Sequence, residues 1–271
     1  MPPAKSSPLW TQYTDRARAV GHYPLRRRAT ATIDLHCHLL PGLDDGARDL
    51  EDAIAMARQA QADGIAAICA TPHIRADHAV CVADLPGKRA QLAAALARAG
   101  CPVAVLAGGE VAADIVNDLD DARLAAVTLG AGGRWILLEP SPGPLDARLA
   151  TAVDALRARG FGALIAHPER HLAPDLVDQL RRVIAEGALV QATAAYFVDE
   201  PTRPAMLDLA RAGVIHVLGS DSHSSRAGRP VALAAGLEVL SAVEPTAAHL
   251  DWVAHGAPEA ITRGAEVEPP Y

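Results

Sequence analysis

From residue 32 onward, short apolar runs alternate with Ala/Leu/Arg-rich segments of helical period. Thr32–Cys37 is predicted as the first strand. Asp49 then stands at an N-cap position with Asp52 three residues on, Ile54, Ala57 and Gln61 follow at helical spacing, and Gly64 stops the helix. Ile65–Thr71 reads as the next strand, and Pro86–Ala99 as a helix stopped by Gly100. Strands are expected at Val103–Ala107 and Trp135–Leu138, then a helix over 146–158 ending at Gly160. The last three strands are Ala163–Ala166, Ala188–Ala192 and Val214–Leu218, separated by helices over 174–186 and 203–212. Strands written as unbroken apolar runs between helices imply a parallel sheet covered on both faces. Seven such units over about 230 residues fit a closed or nearly closed barrel better than an open sheet. The expected fold is therefore α/β, a distorted (β/α)7 TIM-like barrel in one domain over 32–271. An open doubly wound sheet is the alternative.

Residues 1–31 differ. They carry Pro2, Pro3, Trp10, Tyr13 and the run Arg26-Arg27-Arg28 without periodicity, and are expected to form a loosely ordered N-terminal extension. They lack the apolar core and cleavage site of a signal peptide. No uncharged apolar run reaches membrane-spanning length.

Composition narrows the function classes. With 271 residues, half of them apolar and 21% charged, the chain can bury a sizeable core and is not disordered. A formal charge of −7 argues against a nucleic-acid binder with a broad basic face. The four cysteines, Cys37, Cys69, Cys81 and Cys101, contain no CxxC pair, which fits a reducing cytoplasm.

The histidines and acids are unevenly placed. His36 and His38 end the first strand, His73 follows the second, Glu110 follows the third and Glu139 ends the fourth. His167 ends the fifth, Gln191 closes the sixth, and Asp221 and His223 follow the seventh. In a barrel those C-terminal ends converge on one face, where active sites of this architecture lie. His36 and His38, at i and i+2, point to one side of a strand, and Asp221 and His223 repeat the spacing. Asp45, just past the first strand, brings the set to nine, five histidines and four acids. A single tetrahedral zinc needs about four ligands, so nine suggest two or three ions sharing carboxylates. Mixed imidazole and carboxylate ligands favour Mn, Fe or Zn over Ca. Clustered divalent ions suit phosphate-ester hydrolysis. Arg170, three residues after His167, and Arg229, six after His223, are the candidate phosphate-binding groups, with Arg226 competing for the second place. Glu169 is expected to orient Arg170. The bland reading is a ring of buried ion pairs, which is costly for so many carboxylates.

Four segments carry a family resemblance: IDLHCHLLPGLDDG over 33–46, ATPH over 70–73, AHPER over 166–170 and GSDSH over 219–223. The chain resembles the polymerase-and-histidinol-phosphatase superfamily. Within it, it is similar to the bacterial protein-tyrosine phosphatases of capsule and exopolysaccharide synthesis. The resemblance implies a distorted barrel with three divalent ions, typically Mn2+. It places His36, His38, Glu110 and Asp221 on one ion, Glu110, Glu139 and His167 on a second, and Asp45, His73 and His223 on a third. It assigns Arg170 and Arg229 to phosphate. The implied substrate is a phosphotyrosine protein, the tail of a tyrosine kinase that regulates polysaccharide synthesis. An oligomer is compatible with this reading. A histidinol-phosphate phosphatase-like enzyme and a catalytically silent metal-binding scaffold are the alternatives.

A second phosphatase signature is a decoy. Cys69-Ala-Thr-Pro-His-Ile-Arg75 fits the C-x5-R pattern of thiol-based tyrosine phosphatases. That mechanism needs consecutive backbone N–H groups around the phosphate. This stretch has no glycine, Pro72 lacks an N–H, and Cys69 falls within an apolar strand where a thiol stays protonated.

Overall fold

The computed structural model describes residues 32–271. The expected extension over 1–31 lies outside the described residues. Among the described residues, nine strand segments, all paired in parallel, form two sheets. The first runs β1 (Thr32–Cys37), β2 (Ile65–Ala70), β4 (Ala104–Leu106). The second runs β3 (His73–Ile74), β5 (Glu110–Ala112), β6 (Trp135–Glu139), β7 (Gly162–Ile165), β8 (Leu189–Thr193), β9 (Val217–Gly219). Two expected strands, Ile65–Thr71 and Val103–Ala107, are thus each followed by a short further strand that was not expected, β3 and β5. Thr71-Pro72 separates β2 from β3, because proline cannot donate to a ladder. Gly108-Gly109 separates β4 from β5.

The sheet curls until its ends meet. Asp221 N donates to His36 O (2.8 Å) and His38 N to Ser222 O (2.9 Å), joining the end of β1 to the segment beyond β9. This is an α/β single domain with a curled parallel sheet, consistent with a distorted barrel.

Helices cover the outside: α1 (Leu50–Asp63), α2 (Leu85–Arg98), α3 (Asp121–Ala126), α4 (Ala147–Ala158), α5 (Leu176–Ala185), α6 (Arg203–Arg211), α7 (Ala234–Leu240) and α8 (Ala257–Thr262). Helix α1 starts where expected: the Asp49 side chain accepts from Asp52 N, and Gly64 ends it in the left-handed region at φ +88°. The seventh strand begins later than expected, at Val217; Val214 N still bonds Leu209 O of the preceding helix, and His216 N makes the first contact with β8, at Val190 O (3.0 Å). Helices α7 and α8 and the turns between them had no clear sequence signal. No helix among the described residues is long and apolar enough to cross a membrane.

Two layers of core follow from strand alternation. The outward layer, between sheet and helices, holds Met56, Ile68, Leu92, Ile136, Leu138, Val190 and Met206. The inward layer fills the curl with Leu35, Cys69, Trp135, Leu137, Leu164, Leu189 and Val217. Along β6 the inward face reads Trp135, Leu137, Glu139, and along β8 it reads Leu189, Gln191, Thr193. The inner face is apolar low in the curl and turns polar at the strands' C-terminal ends.

Candidate metal centre

The nine acids and histidines singled out from the sequence all reach that polar end. His36 Nε2 and His38 Nε2 face each other at 3.3 Å. Glu110 lies between them, with Oε1 at 3.4 Å from His36 Nε2 and Oε2 at 3.2 Å from His38 Nε2. Glu110 Oε1 also accepts from His167 Nε2 (2.8 Å), and Asp221 Oδ1 stands 3.4 Å from His36 Nε2. On the outer side, Asp45 Oδ1 is 3.5 Å from His73 Nε2 and 3.4 Å from His223 Nε2. Glu139 Oε2 is 3.6 Å from His73 Nδ1.

Local backbone makes this convergence. Asp221 and His167 both adopt left-handed φ, +47° and +35°, which non-glycine residues avoid. Strain of this kind persists where surrounding structure over-determines it, typically at functional sites. Gly46 is required by space: a Cβ there would lie 2.4 Å from the His38 Cβ.

The electrostatics describe a nest of carboxylates gripping whatever positive charge is present. Burial opposes charge on His38, yet Asp44 and Glu110 push its pKa up to about 10. Burial likewise opposes ionisation of Glu110, but His36, His167 and His38 hold it well below the usual carboxylate range. Asp221 is lowered despite its burial by His36, Arg229, His167 and Arg170. His223 goes the other way, down to about 4, through burial and the charge on His38 stacked 3.9 Å from it.

The donor set fits divalent ions. Four buried atoms here, His73 Nδ1, Glu110 Oε2, His167 Nδ1 and Asp221 Oδ1, have no hydrogen-bond partner. His73 Nδ1 and Glu110 Oε2 lie 3.0 Å apart without making a hydrogen bond, which leaves both atoms open to metal. Three groupings among the described residues have ligand atoms close enough to share an ion: His38, Asp45, His73 and His223; His36, His38 and Glu110; His73, Glu110 and Glu139. They overlap the sets implied by the resemblance but divide His38 and His73 differently.

Both singled-out arginines are here, and Arg226 is not. Arg170 Nη2 donates to Asp221 Oδ2 (2.5 Å), and Arg229 Nη2 meets the same oxygen at 2.9 Å. Arg226 sits on the surface opposite Glu51. Glu169 does not grip Arg170 as expected; its Oε1 accepts from Thr193 N (3.2 Å) and braces β8 instead. These groups open onto a cavity of about 520 Å³ lined by Asp45, His73, Glu139, Arg170, His223 and Arg229.

Several supporting residues escaped sequence reasoning. Asp44 is a second acid beside Asp45: its Oδ2 accepts from His38 Nδ1 (2.8 Å) and from His73 N (2.9 Å). Gln191, already noted at the end of the sixth strand, is the exception: its Oε1 accepts from His36 Nδ1 (2.8 Å). Arg75 reaches Glu139 with Nη1 (3.1 Å). Helix α1 laces the segment that carries Arg229. Asp52 accepts from Ser225 N (2.9 Å), Gln59 Nε2 donates to Ser225 O (2.9 Å) and its Oε1 accepts from Val231 N (3.3 Å). Asp63 accepts from Ala234 N (3.0 Å). Residues 52, 59 and 63 share one helix face. Cys69, the decoy nucleophile, is wholly buried in the inner core, and burial pushes its thiol up to about 12.

Comparison with known proteins gives the same direction. Residues 32–244 match the CpsB/CapC family, described as capsular polysaccharide synthesis. The tyrosine-protein phosphatase YwqE of Bacillus subtilis is 30% identical over 202 residues, 71% of this chain and 77% of YwqE. The putative tyrosine-protein phosphatase CapC of Staphylococcus aureus is 25% identical over 199 residues, again 71% and 77% of the two chains. A solved structure reported with YwqE from Bacillus subtilis and CpsB from Streptococcus pneumoniae, as metal-dependent tyrosine phosphatases, superposes with a TM-score of 0.74. It has 28% identity and covers 88% of this chain and 98% of that one.

Proposed function

This chain belongs to the CpsB/CapC family of capsular polysaccharide synthesis proteins, and on that footing we propose that it is a metal-dependent phosphatase that hydrolyses phosphotyrosine in proteins. The observation that carries the reading is the convergence of imidazole and carboxylate donors at one end of the curl, four of them, Asp45, His73, Glu139 and His223, lining one cavity with Arg170 and Arg229. His36, His38, Glu110 and Asp221 would hold one divalent ion, Glu110, Glu139 and His167 a second, and Asp45, His73 and His223 a third. Mn2+ is the ion proposed, with Fe or Zn as substitutes. Such ions, when bound, lower the pKa of water and offset charge on phosphoryl oxygens.

The chain's own groups do the rest. Arg170 and Arg229 aim at a single oxygen, Asp221 Oδ2, so both guanidinium groups are close enough to grip one phosphoryl group at the cavity floor. Tyr196 steadies Arg229, whose guanidinium lies 5.8 Å from its ring. Asp44 and Gln191 occupy one nitrogen each of His38 and His36, leaving each Nε2 turned inward. Phenolate, with an ordinary pKa near about 10, is a tolerable leaving group.

We read β2 with β3, and β4 with β5, as single interrupted strands of a seven-unit barrel, and residues 32–271 as one phosphatase domain preceded by an extension. The proposed substrate is the tyrosine-bearing tail of a kinase of polysaccharide synthesis, met in the cytoplasm. Phosphate release from a phosphotyrosyl peptide, set against histidinol phosphate, tests the assignment. Preference for the peptide is expected. Preference for histidinol phosphate would make this a small-molecule phosphatase, and metal binding without turnover of any ester would make it a scaffold.

A further inference from the structure

Three cavities meet at Arg75. The first is the proposed catalytic cavity, which Arg75, Asp77 and Arg229 all border. A smaller one, of about 240 Å³, lies beside Pro140 and Pro142. The third is the largest, about 720 Å³, and its character is different. Its walls are Ile74, Val80, Val82, Ile115, Leu119 and the exposed Ala122–Ala126 face of α3. Val80, Val82, Ile115 and Leu119 lean on the core but stay half-exposed.

A phosphotyrosine in a polypeptide brings flanking residues, and the chain must leave the catalytic cavity over its rim. The rim at Arg75 is held in place by ion pairs. Arg75 is tied down by Glu139 (3.1 Å) and Asp77 (2.6 Å), and its stem and Ala76 form the near wall of the apolar groove. A chain crossing there arrives directly in the groove. Free phosphotyrosine or another small aryl phosphate would never touch it.

Resting on the phosphotyrosine reading, we propose that this groove is a substrate subsite, binding apolar side chains that flank the phosphotyrosine. Its occupant is the substrate polypeptide, because the groove adjoins the catalytic cavity, with Arg75 in the wall of both. Its edge carries Asp118 and Asp120 against Arg123, and Arg123 is paired with Asp120 (3.8 Å), so the edge also disfavours acidic residues in the flank.

The test uses the full-length, metal-loaded protein and three substrates: p-nitrophenyl phosphate, a phosphotyrosyl peptide with leucines on both sides of the tyrosine, and the same peptide with serines. Two variants charge the groove. Val82→Asp alters its wall. Ala122→Glu/Ala126→Glu places carboxylates one helical turn apart on an exposed face, where a folding defect is not expected. Both should raise KM for the leucine peptide about tenfold, equivalent to about 1.4 kcal/mol, with kcat retained. KM for the serine peptide and for p-nitrophenyl phosphate should not move. An unchanged KM for the leucine peptide in both folded variants would overturn the subsite, and so would an equal rise for p-nitrophenyl phosphate. Two other occupants give distinct results that also overturn it. If the groove seats residues 1–31, leucine and serine flanks give the same KM in the full-length protein, and only deleting those residues lowers it. If it seats a second copy, the variants change sedimentation and not KM. Lack of wild-type turnover on all three substrates would instead overturn the phosphatase reading, and the subsite with it.

Discussion

Asp44 Oδ2 lies 2.8 Å from His38 Nδ1, and the same oxygen accepts from His73 N at 2.9 Å. One carboxylate thus fixes the ring of one proposed ligand and the backbone of another. Asp44 should therefore govern metal affinity without touching metal. Asp44→Asn is expected to weaken metal binding by roughly 10–100-fold, the usual effect of losing such a partner. Titration of the metal-free protein with Mn2+ measures it, and undiminished affinity would remove Asp44 from this role.

Gln59 should matter to substrate and not to metal. Its two hydrogen bonds hold both flanks of the segment that carries Arg229. Gln59→Leu should cost about 1–3 kcal/mol of stability and raise KM for p-nitrophenyl phosphate several-fold, with metal content unchanged. Gln59→Glu keeps the acceptor for Val231 N and should fall between. A loss confined to kcat, or loss of metal, would contradict positioning of Arg229.

Much of this arrangement was legible in the sequence, and the gaps have physical causes. Strand and helix positions followed from periodicity, and the nine donors from their places at strand ends. Asp44 was passed over because two adjacent acids in a turn have no periodicity to say which faces inward. Asp52, Gln59 and Asp63 read as an ordinary polar helix face, since their partners lie more than 160 positions away, as |i−j| of 172 for Gln59 and Val231 illustrates. The strands β3 and β5 were missed because two- and three-residue segments just past Pro72 and Gly109 are too short to show a period. The turns beyond residue 241 have short segments and no repeating pattern.

Asp63 makes the fold sensitive to pH. Burial raises its carboxyl from 3.8 to about 6, outweighing the two backbone N–H groups that it accepts from. An acid with a raised folded pKa gives its full stability below the unfolded value and loses it as pH rises through the folded value. Wild type should therefore lose about 1–2 kcal/mol from this group between pH 4 and 6, an amount reduced for partial solvent contact. Asp63→Asn should remove that slope, and urea unfolding at several pH values would show it. A slope identical to wild type would contradict the assignment.

Cys69→Ser separates the two phosphatase chemistries suggested by the sequence. The thiol is buried in the inner core with its pKa pushed up to about 12. The substitution should cost about 1–3 kcal/mol of stability for an unpaired hydroxyl and leave turnover of the folded enzyme nearly unchanged. Loss of turnover by orders of magnitude in a folded variant would point to a nucleophilic thiol.

The central claim, that divalent ions held at His36, His38 and their neighbours are what make this protein a phosphatase, is tested most directly by one paired measurement. Elemental analysis is combined with phosphotyrosyl-peptide turnover for wild type and for His36→Ala/His38→Ala, each before and after EDTA. The account predicts bound divalent metal and turnover in wild type, loss of turnover with EDTA and recovery with Mn2+. The folded double variant should hold less metal and stay inactive. EDTA-resistant turnover by metal-free wild type, or wild-type rates in the double variant, would contradict it.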